Sequence, residues 1–206
     1  MKRKEYKFLI GIDEVGRGPI AGPVAVGAFL FPNLKSRNLF KGVKESKQLN
    51  EMKREEWYEK IIHARKNDLI DFAVTFQSEK VIDTNGLSFA IKNALKLSIY
   101  KIIKKNKIKP NEVLVLLDGG LKAPAEFIHQ QTIIKGDVKE KVIALASITA
   151  KVERDRYMHK MAKKHPQYGF DIHKGYGTRG HYEAIKKHGL SSLHRRSFIK
   201  SPIKSQ

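Results

Sequence analysis

The stretch GIDEVGRGP, residues 11–19, places two acidic side chains directly after an apolar run and just before two glycines. Phe8 to Ile12 is short and uncharged, which predicts a buried strand that ends at Asp13 and Glu14. The acids can be interpreted as a solvated strand end or as one half of a metal site. The glycines of Gly16-Arg17-Gly18 indicate a backbone that another group can approach closely.

Acidic residues also follow two later apolar segments. Val113 to Leu117 leads to Asp118, and Thr132 to Lys135 leads to Gly136-Asp137. If the first and fourth strands are parallel neighbours, their terminal acids start about 5 Å apart at the backbone. Carboxylates crowded in this way repel one another, and Mg²⁺ or Mn²⁺ would relieve the repulsion because carboxylate oxygens are their preferred ligands. An Asp beside a Gly is also ordinary turn chemistry, so each pair taken alone has a plainer explanation.

The order of predicted elements indicates an α/β fold with a mixed five-stranded sheet flanked by helices: a meander first, then strands reached by crossover helices. The predicted strands span residues 8–12, 22–31, 70–76, 113–117 and 132–135, and the predicted helices begin near residues 50, 78, 87, 141 and 179. Met52 and Tyr58 are expected on the inner side of the first helix. The third predicted strand alternates apolar and polar residues, which predicts a half-buried strand.

Charge is the dominant feature of the composition. The 206 residues include 41 Lys and Arg against 21 Asp and Glu, a formal net charge of +20, which favours polyanions through counterion release. A surface rich in solvated lysines is the alternative.

The chain has no cysteine, so disulfides and thiolate metal sites are excluded. The basic N-terminus meets Asp13 too soon for a signal peptide, and no apolar run could span a membrane, so we expect a cytoplasmic protein.

Seven motifs resemble those of ribonuclease HII, the type 2 ribonuclease H, in its bacterial form. They occur in the family's order as GIDEVGRGPIAGPV (11–24), ESKQLN (45–50), LLDGG (116–120), IKGD (134–137), ASITAKVERDRYM (146–158), HKGYGT (173–178) and LHRRSF (193–198). The resemblance implies a ribonuclease H-like fold in which the first and fourth strands are neighbours. It implies a catalytic domain over residues 1–164 and a helical substrate-binding extension with a basic tail over residues 165–206, packed together as one unit.

The resemblance also implies an activity. Ribonuclease HII enzymes are endonucleases that cleave the RNA strand of RNA–DNA hybrids and cut 5′ to single ribonucleotides in duplex DNA. The implied metal-binding and catalytic carboxylates are Asp13, Glu14, Asp118 and Asp137, with two Mg²⁺ or Mn²⁺ ions in the active complex. Hydrolysis with two ions needs no side-chain nucleophile and leaves 3′-hydroxyl and 5′-phosphate ends. We expect no base-sequence specificity, because backbone contacts carry no sequence information.

Recognition of RNA requires a contact to the 2′-hydroxyl. The resemblance assigns this contact to Gly16-Arg17-Gly18, with Arg17 near the phosphate and Tyr176 against the sugar. Without the family resemblance, Tyr176 could equally be interpreted as the anchor of a packed loop. The implied phosphate contacts are Ser46, Lys47, Arg195 and Arg196, each of which could instead be a solvated surface residue.

Some residues and classes compete with this interpretation. Asp155 is the rival for the fourth acid, but it lies inside a predicted helix between Arg154 and Arg156, where an ion pair is expected. Gly120 and the run 139–141 depart from the family's usual residues, which leaves local substrate contacts open. Three alternatives remain. The chain could be a ribonuclease HIII, a different two-metal nuclease of the same fold, or a basic nucleic-acid-binding protein without catalytic activity. A monomer without an obligate protein partner is expected.

Four of the eight histidines fall late in the chain, at His173, His181, His188 and His194. Their spacing does not form a convincing zinc site, and no cysteine is available to complete one. We therefore predict that they lie at the surface or face phosphate.

Overall fold

The computed structural model describes residues 6–43 and 49–199, which form a mixed five-stranded sheet with helices on both faces. The strands are β1 (Phe8–Val15), β2 (Val24–Phe31), β3 (Asp71–Gln77), β4 (Val113–Asp118) and β5 (Gln130–Ile133). The longer helices are α1 (Glu51–Lys66), α2 (Glu79–Asn85), α3 (Leu87–Lys105), α5 (Lys141–Lys164) and α7 (Arg179–His188), and the single-turn helices are α4 (Gly136–Lys139) and α6 (Phe170–His173).

The strand order β3-β2-β1-β4-β5 confirms the predicted mixed sheet. β1, β2 and β3 form an antiparallel meander, while β4 pairs in parallel with β1 on one side and with β5 on the other. A parallel partner has to be reached by a crossover, and α2 and α3 lie between β3 and β4 in the chain. The carboxyl ends of β1 and β4 therefore meet at the same edge of the sheet.

Side chains of β1 alternate between two cores because successive residues of a strand point to opposite faces. Ile10 and Ile12 belong to the core beneath α3, whereas Leu9 belongs to the core beneath α1 and α5. The same alternation places Gly11 and Asp13 on the side of α5. The first acid of the sequence thus faces the helix that carries the ASITAKVERDRYM motif.

Two glycines let α5 lie unusually close to the sheet. A Cβ atom built on Gly11 would lie 2.4 Å from the backbone carbon and oxygen of Val142, and one built on Gly27 would lie 2.4 Å from the carbonyl oxygen of Ala146. Real Cβ atoms do not approach backbone atoms so closely, so these two positions require glycine. The close approach brings Ser147, the next residue of α5, beside Asp13.

Three details of the sequence prediction are wrong. Met52 is 66% exposed, because the buried residues of α1 begin only at Tyr58. β3 is not a simple alternating strand, since Thr75 is buried while Phe76 is only partly covered. β5 ends at Ile133, so Asp137 does not end a strand but lies in the short helix α4.

The segment after α5 packs on the loop that follows β1. A third core cluster joins Ile20 and Ala21 to apolar residues between Met158 and Leu193, and Ala21 forms an isolated β-bridge with His194. The backbone N–H groups of Ile20 and Ala21 also donate to the carbonyl oxygen of Gly175, at 2.9 and 3.2 Å. The described residues after α5 thus pack against the loop that follows β1, while the predicted division into regions 1–164 and 165–206 stays a prediction.

None of the described helices combines the length and the apolar character that a bilayer span requires.

We predict that Gly11→Ala lowers the free energy of unfolding by at least about 2 kcal/mol, because the added methyl meets backbone rather than a movable side chain. Gly180→Ala is the matched control, since no atom lies within 4 Å of a Cβ built there. Alanine is also the better helix former, so this control should be neutral or stabilising. Chemical denaturation of both variants measures the difference. Equal stabilities would show that α5 does not need the glycine gap.

Candidate active site

The candidate site is built where β1 and β4 end side by side. Ile12 pairs with Leu117 in the parallel register, so the chain positions that follow, Asp13 and Asp118, leave adjacent strands at the same level. One carboxylate oxygen from each of Asp13, Asp118 and Asp137 lies within 4.8 Å of the other two. The structure therefore brings Asp13 together with two acids that lie more than 100 residues later in the sequence.

Asp137 reaches this cluster through a tight turn after β5. Lys135 adopts a left-handed conformation with φ of 54°, and the N–H of Gly136 donates to Asp118 Oδ1 at 2.6 Å. A Cβ on Gly136 would lie 2.6 Å from Ile143 Cδ1. The hydrogen bond from Gly136 ties the turn to Asp118, and the next residue, Asp137, lies in the cluster.

Burial makes the negative charge of the cluster costly. Asp13 is only 5% exposed, and its pKa is raised to about 8, first because burial disfavours the charged form and further by the charges of Glu14 and Asp118. A hydrogen bond from Ser147 opposes the rise. A carboxylate in this position is stabilised by a proton or by a cation. Divalent cations that prefer oxygen ligands fit such a set of donors.

Glu14 lines the pocket with Asp13 and Asp118, but it is not one of the three acids whose carboxylate oxygens lie within 4.8 Å of one another. Its Oε1 accepts a hydrogen bond from Arg17 Nη1 at 2.9 Å. Its Oε2 is buried, and no group among the described residues donates to that atom. Burial is also the main cause of the raised pKa of Glu14. This second oxygen is available to a cation, whereas Oε1 is engaged by a side chain.

The predicted substrate-reading residues line the pocket that contains Asp13, Glu14 and Asp118. Gly16 has φ of 92°, a conformation that favours glycine, and Gly18 is exposed. The ring of Tyr176 lies over Gly18, with its Cε1 3.7 Å from a Cβ built there. Tyr176 is itself 46% exposed. The loop and the tyrosine therefore form the two sides of an open cleft next to the acids.

The prediction that Arg195 contacts phosphate needs correction. Arg195 is fully buried, and its guanidinium donates to the carbonyl oxygens of Gly16, Arg17 and Gly22 at 2.7, 3.1 and 2.8 Å. Because its donors point at backbone, Arg195 supports the glycine loop from behind. Burial lowers its pKa to about 10, so it stays charged at neutral pH.

A second buried arginine supports the same loop. Arg154 of α5 is also fully buried, and it donates to the carbonyl oxygens of Pro23 at 2.9 Å and Lys174 at 3.1 Å. Its side chain occupies the space beside Gly16, where a Cβ would lie 2.4 Å from Arg154 Nε. The two guanidinium groups thus fix the backbone on either side of the cleft. Sequence reasoning assigned Arg154 only to an ion pair with Asp155.

Asp155 does not belong to the aspartate cluster. It is buried on α5, where its carboxylate pairs with Lys151 at 2.6 Å and lies 3.9 Å from Arg54. The expected ion pair is confirmed, although the partners are not Arg154 or Arg156. Lys151 and Arg54 line the candidate pocket with Ser147, and none of the three was predicted. The spacing of Ser147, Lys151 and Asp155 at four-residue intervals is the signal that could have placed them on one helix face.

The remaining predicted phosphate contacts are placed as follows. Arg196 is exposed, and its backbone N–H donates to Asp83 at 2.9 Å. Ser46 and Lys47 lie outside the described residues.

The surface prediction for the late histidines is wrong for two of them. His181 and His194 are buried, and their Nε2 atoms lie 3.1 Å apart. His173 stacks on His181 with ring centroids 4.2 Å apart, while His188 is exposed. The aromatic rings of Tyr168 and Phe170 pack around the buried pair and provide the apolar environment.

A family model described as Ribonuclease HII matches residues 10–201 of the chain. Ribonuclease HII of Caldicellulosiruptor bescii is 42% identical over 196 residues, which are 95% of this chain and 88% of that protein. Ribonuclease HII of Endomicrobium trichonymphae is 42% identical over 200 residues, which are 97% of this chain and 88% of that protein.

Solved structures show the same architecture. The ribonuclease HII in a PCNA complex from Archaeoglobus fulgidus has a TM-score of 0.71 at 26% identity, covering 95% of this chain and 96% of that one. Ribonuclease H2 from Pyrococcus horikoshii has a TM-score of 0.66 at 28% identity, covering 92% and 93%. Bst-RNase HIII in complex with Mn²⁺ has a TM-score of 0.68 at 20% identity, covering 95% and 68%, and this likeness concerns the fold alone. The predicted ribonuclease H-like fold is confirmed.

We predict that Arg195→Lys destabilises the protein while Arg196→Lys does not. A lysine keeps the charge, but one ammonium cannot reach the three carbonyl oxygens that Arg195 satisfies, and each unpaired buried acceptor costs about 1–3 kcal/mol. The neighbouring Arg196 is exposed and serves as the matched control. Denaturant unfolding of both variants measures the effect. Equal midpoints would contradict a supporting role for Arg195.

Proposed function

Because the chain belongs to the ribonuclease HII family and is a ribonuclease H enzyme, we propose that it is an endonuclease with two kinds of substrate. It cleaves the RNA strand of RNA–DNA hybrids, and it cuts duplex DNA on the 5′ side of a single embedded ribonucleotide. One observation carries this proposal: three aspartate carboxylates lie within 4.8 Å of one another, beside a glycine loop and a tyrosine that face each other.

The residues that would hold the metal are Asp13, Glu14, Asp118 and Asp137. All four offer carboxylate oxygens, Asp13 and Asp137 are buried, and Glu14 keeps a buried Oε2 that no described residue engages. This donor set suits Mg²⁺ or Mn²⁺, and we propose two ions in the active complex. Such ions, held by these carboxylates, would activate the attacking water and stabilise the departing 3′ oxygen, which would give 3′-hydroxyl and 5′-phosphate ends.

The glycine loop and Tyr176 would distinguish RNA from DNA. Gly18 is exposed and carries no side chain, so its backbone can approach a 2′-hydroxyl, which both donates and accepts a hydrogen bond. The tyrosine ring opposite would lie against the sugar at the junction. Arg17 is 59% exposed and 2.9 Å from Glu14, a position from which it can reach a phosphate next to the acids.

The net charge of +20 supports binding to duplex nucleic acid without base-sequence specificity. Arg196, Ser46 and Lys47 stay proposed phosphate contacts. A cytoplasmic monomer without an obligate protein partner also stays a prediction.

We predict that Asp13→Asn and Asp118→Asn abolish cutting and leave hybrid binding in chelator largely intact, because they remove ligand charge but not the basic surface. Mn²⁺ should raise the melting temperature of the natural protein, since a ligand that binds only the folded state stabilises it by about 2.7 kcal/mol at 100 times its Kd. Mn²⁺ should raise the melting temperatures of the Asp13→Asn and Asp118→Asn variants much less.

The assay uses a labelled duplex with one ribonucleotide, incubated with Mg²⁺, Mn²⁺ or chelator. Asp171→Asn, at an exposed position of α6, is the control and should behave like the natural protein. Full cutting by Asp13→Asn or by Asp118→Asn would contradict the assignment of these residues to the metal site.

We predict that Tyr176→Ala loses cutting at a single ribonucleotide more than cutting within a long RNA strand. Aromatic stacking on nucleic acid is worth about 1–3 kcal/mol, so the selective loss in kcat/KM should be about tenfold or more. Tyr176→Phe retains the ring and separates its contribution from that of the hydroxyl. Equal losses on both substrates would argue against junction reading.

A further inference from the structure

A chain of hydrogen bonds runs beneath the Tyr176 loop. The N–H of Ser191 lies 2.9 Å from His194 Nδ1, His194 Nε2 lies 3.1 Å from His181 Nε2, and His181 Nδ1 lies 2.8 Å from the carbonyl oxygen of Tyr176. Both imidazoles are buried, at 2% and 0% exposure. The chain therefore links the segment before Arg195 to the backbone of the residue that faces Gly18.

The chemistry at each end fixes the protons along this chain. A carbonyl oxygen can only accept, so His181 Nδ1 carries a hydrogen and its Nε2 carries a lone pair. A backbone N–H can only donate, so His194 Nδ1 carries the lone pair and its Nε2 carries the hydrogen. The Nε2–H of His194 then donates to the bare Nε2 of His181. This arrangement has both rings neutral, because a second hydrogen on His181 would face the Nε2–H of His194. A second hydrogen on His194 Nδ1 would displace the N–H of Ser191 and bond instead to Ser191 Oγ, which also lies 2.9 Å from Nδ1.

The surroundings keep the rings neutral. His173 stacks on His181, and its own nitrogens are engaged by the carbonyl oxygen of Tyr168 at 2.7 Å and the N–H of Gly175 at 3.1 Å. The titratable groups that face the pair are His165, His173 and Tyr168, and no carboxylate is among the groups that shift their pKa. Burial lowers the pKa of both His181 and His194 to about 4.

Backbone hydrogen bonds also hold the Tyr176 loop: the N–H of Tyr176 donates to the carbonyl oxygen of His173 at 2.9 Å, and the Tyr176 carbonyl oxygen accepts from the N–H of Thr178 at 2.9 Å. The imidazole of His181 adds a side-chain hydrogen bond to the same carbonyl oxygen. Tyr176 lies between Gly175 and Gly177, which offer no side chains to fix it, and its own ring is 46% exposed. His181 is held in turn at the start of α7, where its N–H donates to Thr178 Oγ1 at 3.3 Å. The imidazole of His181 thus connects the first turn of α7 to the backbone of Tyr176.

We propose that the His194–His181 chain positions Tyr176 over Gly18, so that His181 is a positioning residue for reading the ribonucleotide junction. This inference rests on the proposed function of Tyr176. It predicts that the side chain of His181 affects the choice between substrates although it touches neither the acids nor the substrate.

The test compares His181→Leu with His181→Asn. Leucine removes both hydrogen bonds, whereas the asparagine amide can still donate from the position of Nδ1 to the Tyr176 carbonyl. We expect His181→Leu to lower kcat/KM on a single embedded ribonucleotide about tenfold more than on a long RNA strand, and His181→Asn to restore most of that selectivity. An unchanged substrate ratio in His181→Leu, or no recovery in His181→Asn, would overturn the proposal.

The Tyr176→Ala background separates this proposal from the proposed function. If Tyr176→Ala alone keeps the natural substrate ratio, the reading role of Tyr176 is wrong. If Tyr176→Ala changes the ratio and His181→Leu does not, only the positioning role is wrong. Adding His181→Leu to Tyr176→Ala should cause no further selective loss.

If His181→Leu fails to fold, the hydrogen-bond chain can still be tested on the natural protein. Nitrogen-15 NMR of the histidine rings at neutral pH should show the Nδ1–H tautomer for His181 and the Nε2–H tautomer for His194. The opposite tautomers, or a charged ring at pH 7, would overturn the hydrogen-bond chain.

Discussion

The central constraint in this structure is that the fold brings three carboxylates close together although their charges repel one another. Parallel pairing of β1 with β4 places Asp13 next to Asp118, and the turn at Gly136 adds Asp137. Asp13 and Asp137 are buried, so water screens their charges little, and burial is the main cause of the raised pKa of Asp13. Two cations of the described pocket form ion pairs outside the three aspartates, Arg17 with Glu14 and Lys151 with Asp155. A divalent cation is the natural partner of the cluster, and it would also link a basic protein to a phosphate backbone.

The cleft beside the acids combines an open front with a rigid back. In front, the backbone of Gly18 is exposed, and the ring of Tyr176 lies beside it. Behind, Arg154 and Arg195 satisfy backbone carbonyl oxygens of the loop and its neighbours. Burying a guanidinium is costly, but each one donates to several carbonyl oxygens that would otherwise lack partners. This arrangement holds the loop in place and leaves its front free of side chains, where we propose that the sugar binds.

The sequence predicts the strands, the long helices and the convergence of the acids, because these follow from local patterns and from the geometry of parallel strands. It fails where burial depends on distant segments. Arg195 looks like a surface cation, since only the folded chain gathers the carbonyl oxygens of residues 16, 17 and 22 around it. His181 and His194 look solvated for the same reason. Asp137 was placed at a strand end because the left-handed turn at Lys135 has no clear sequence signal.

The most direct test of the metal site is anomalous scattering from crystals of this protein grown with Mn²⁺ and no nucleic acid. The account predicts anomalous density at about 2 Å from the carboxylate oxygens of Asp13, Asp118 and Asp137. Density elsewhere in the protein, with none between these three side chains at Mn²⁺ concentrations that support cutting, would contradict it.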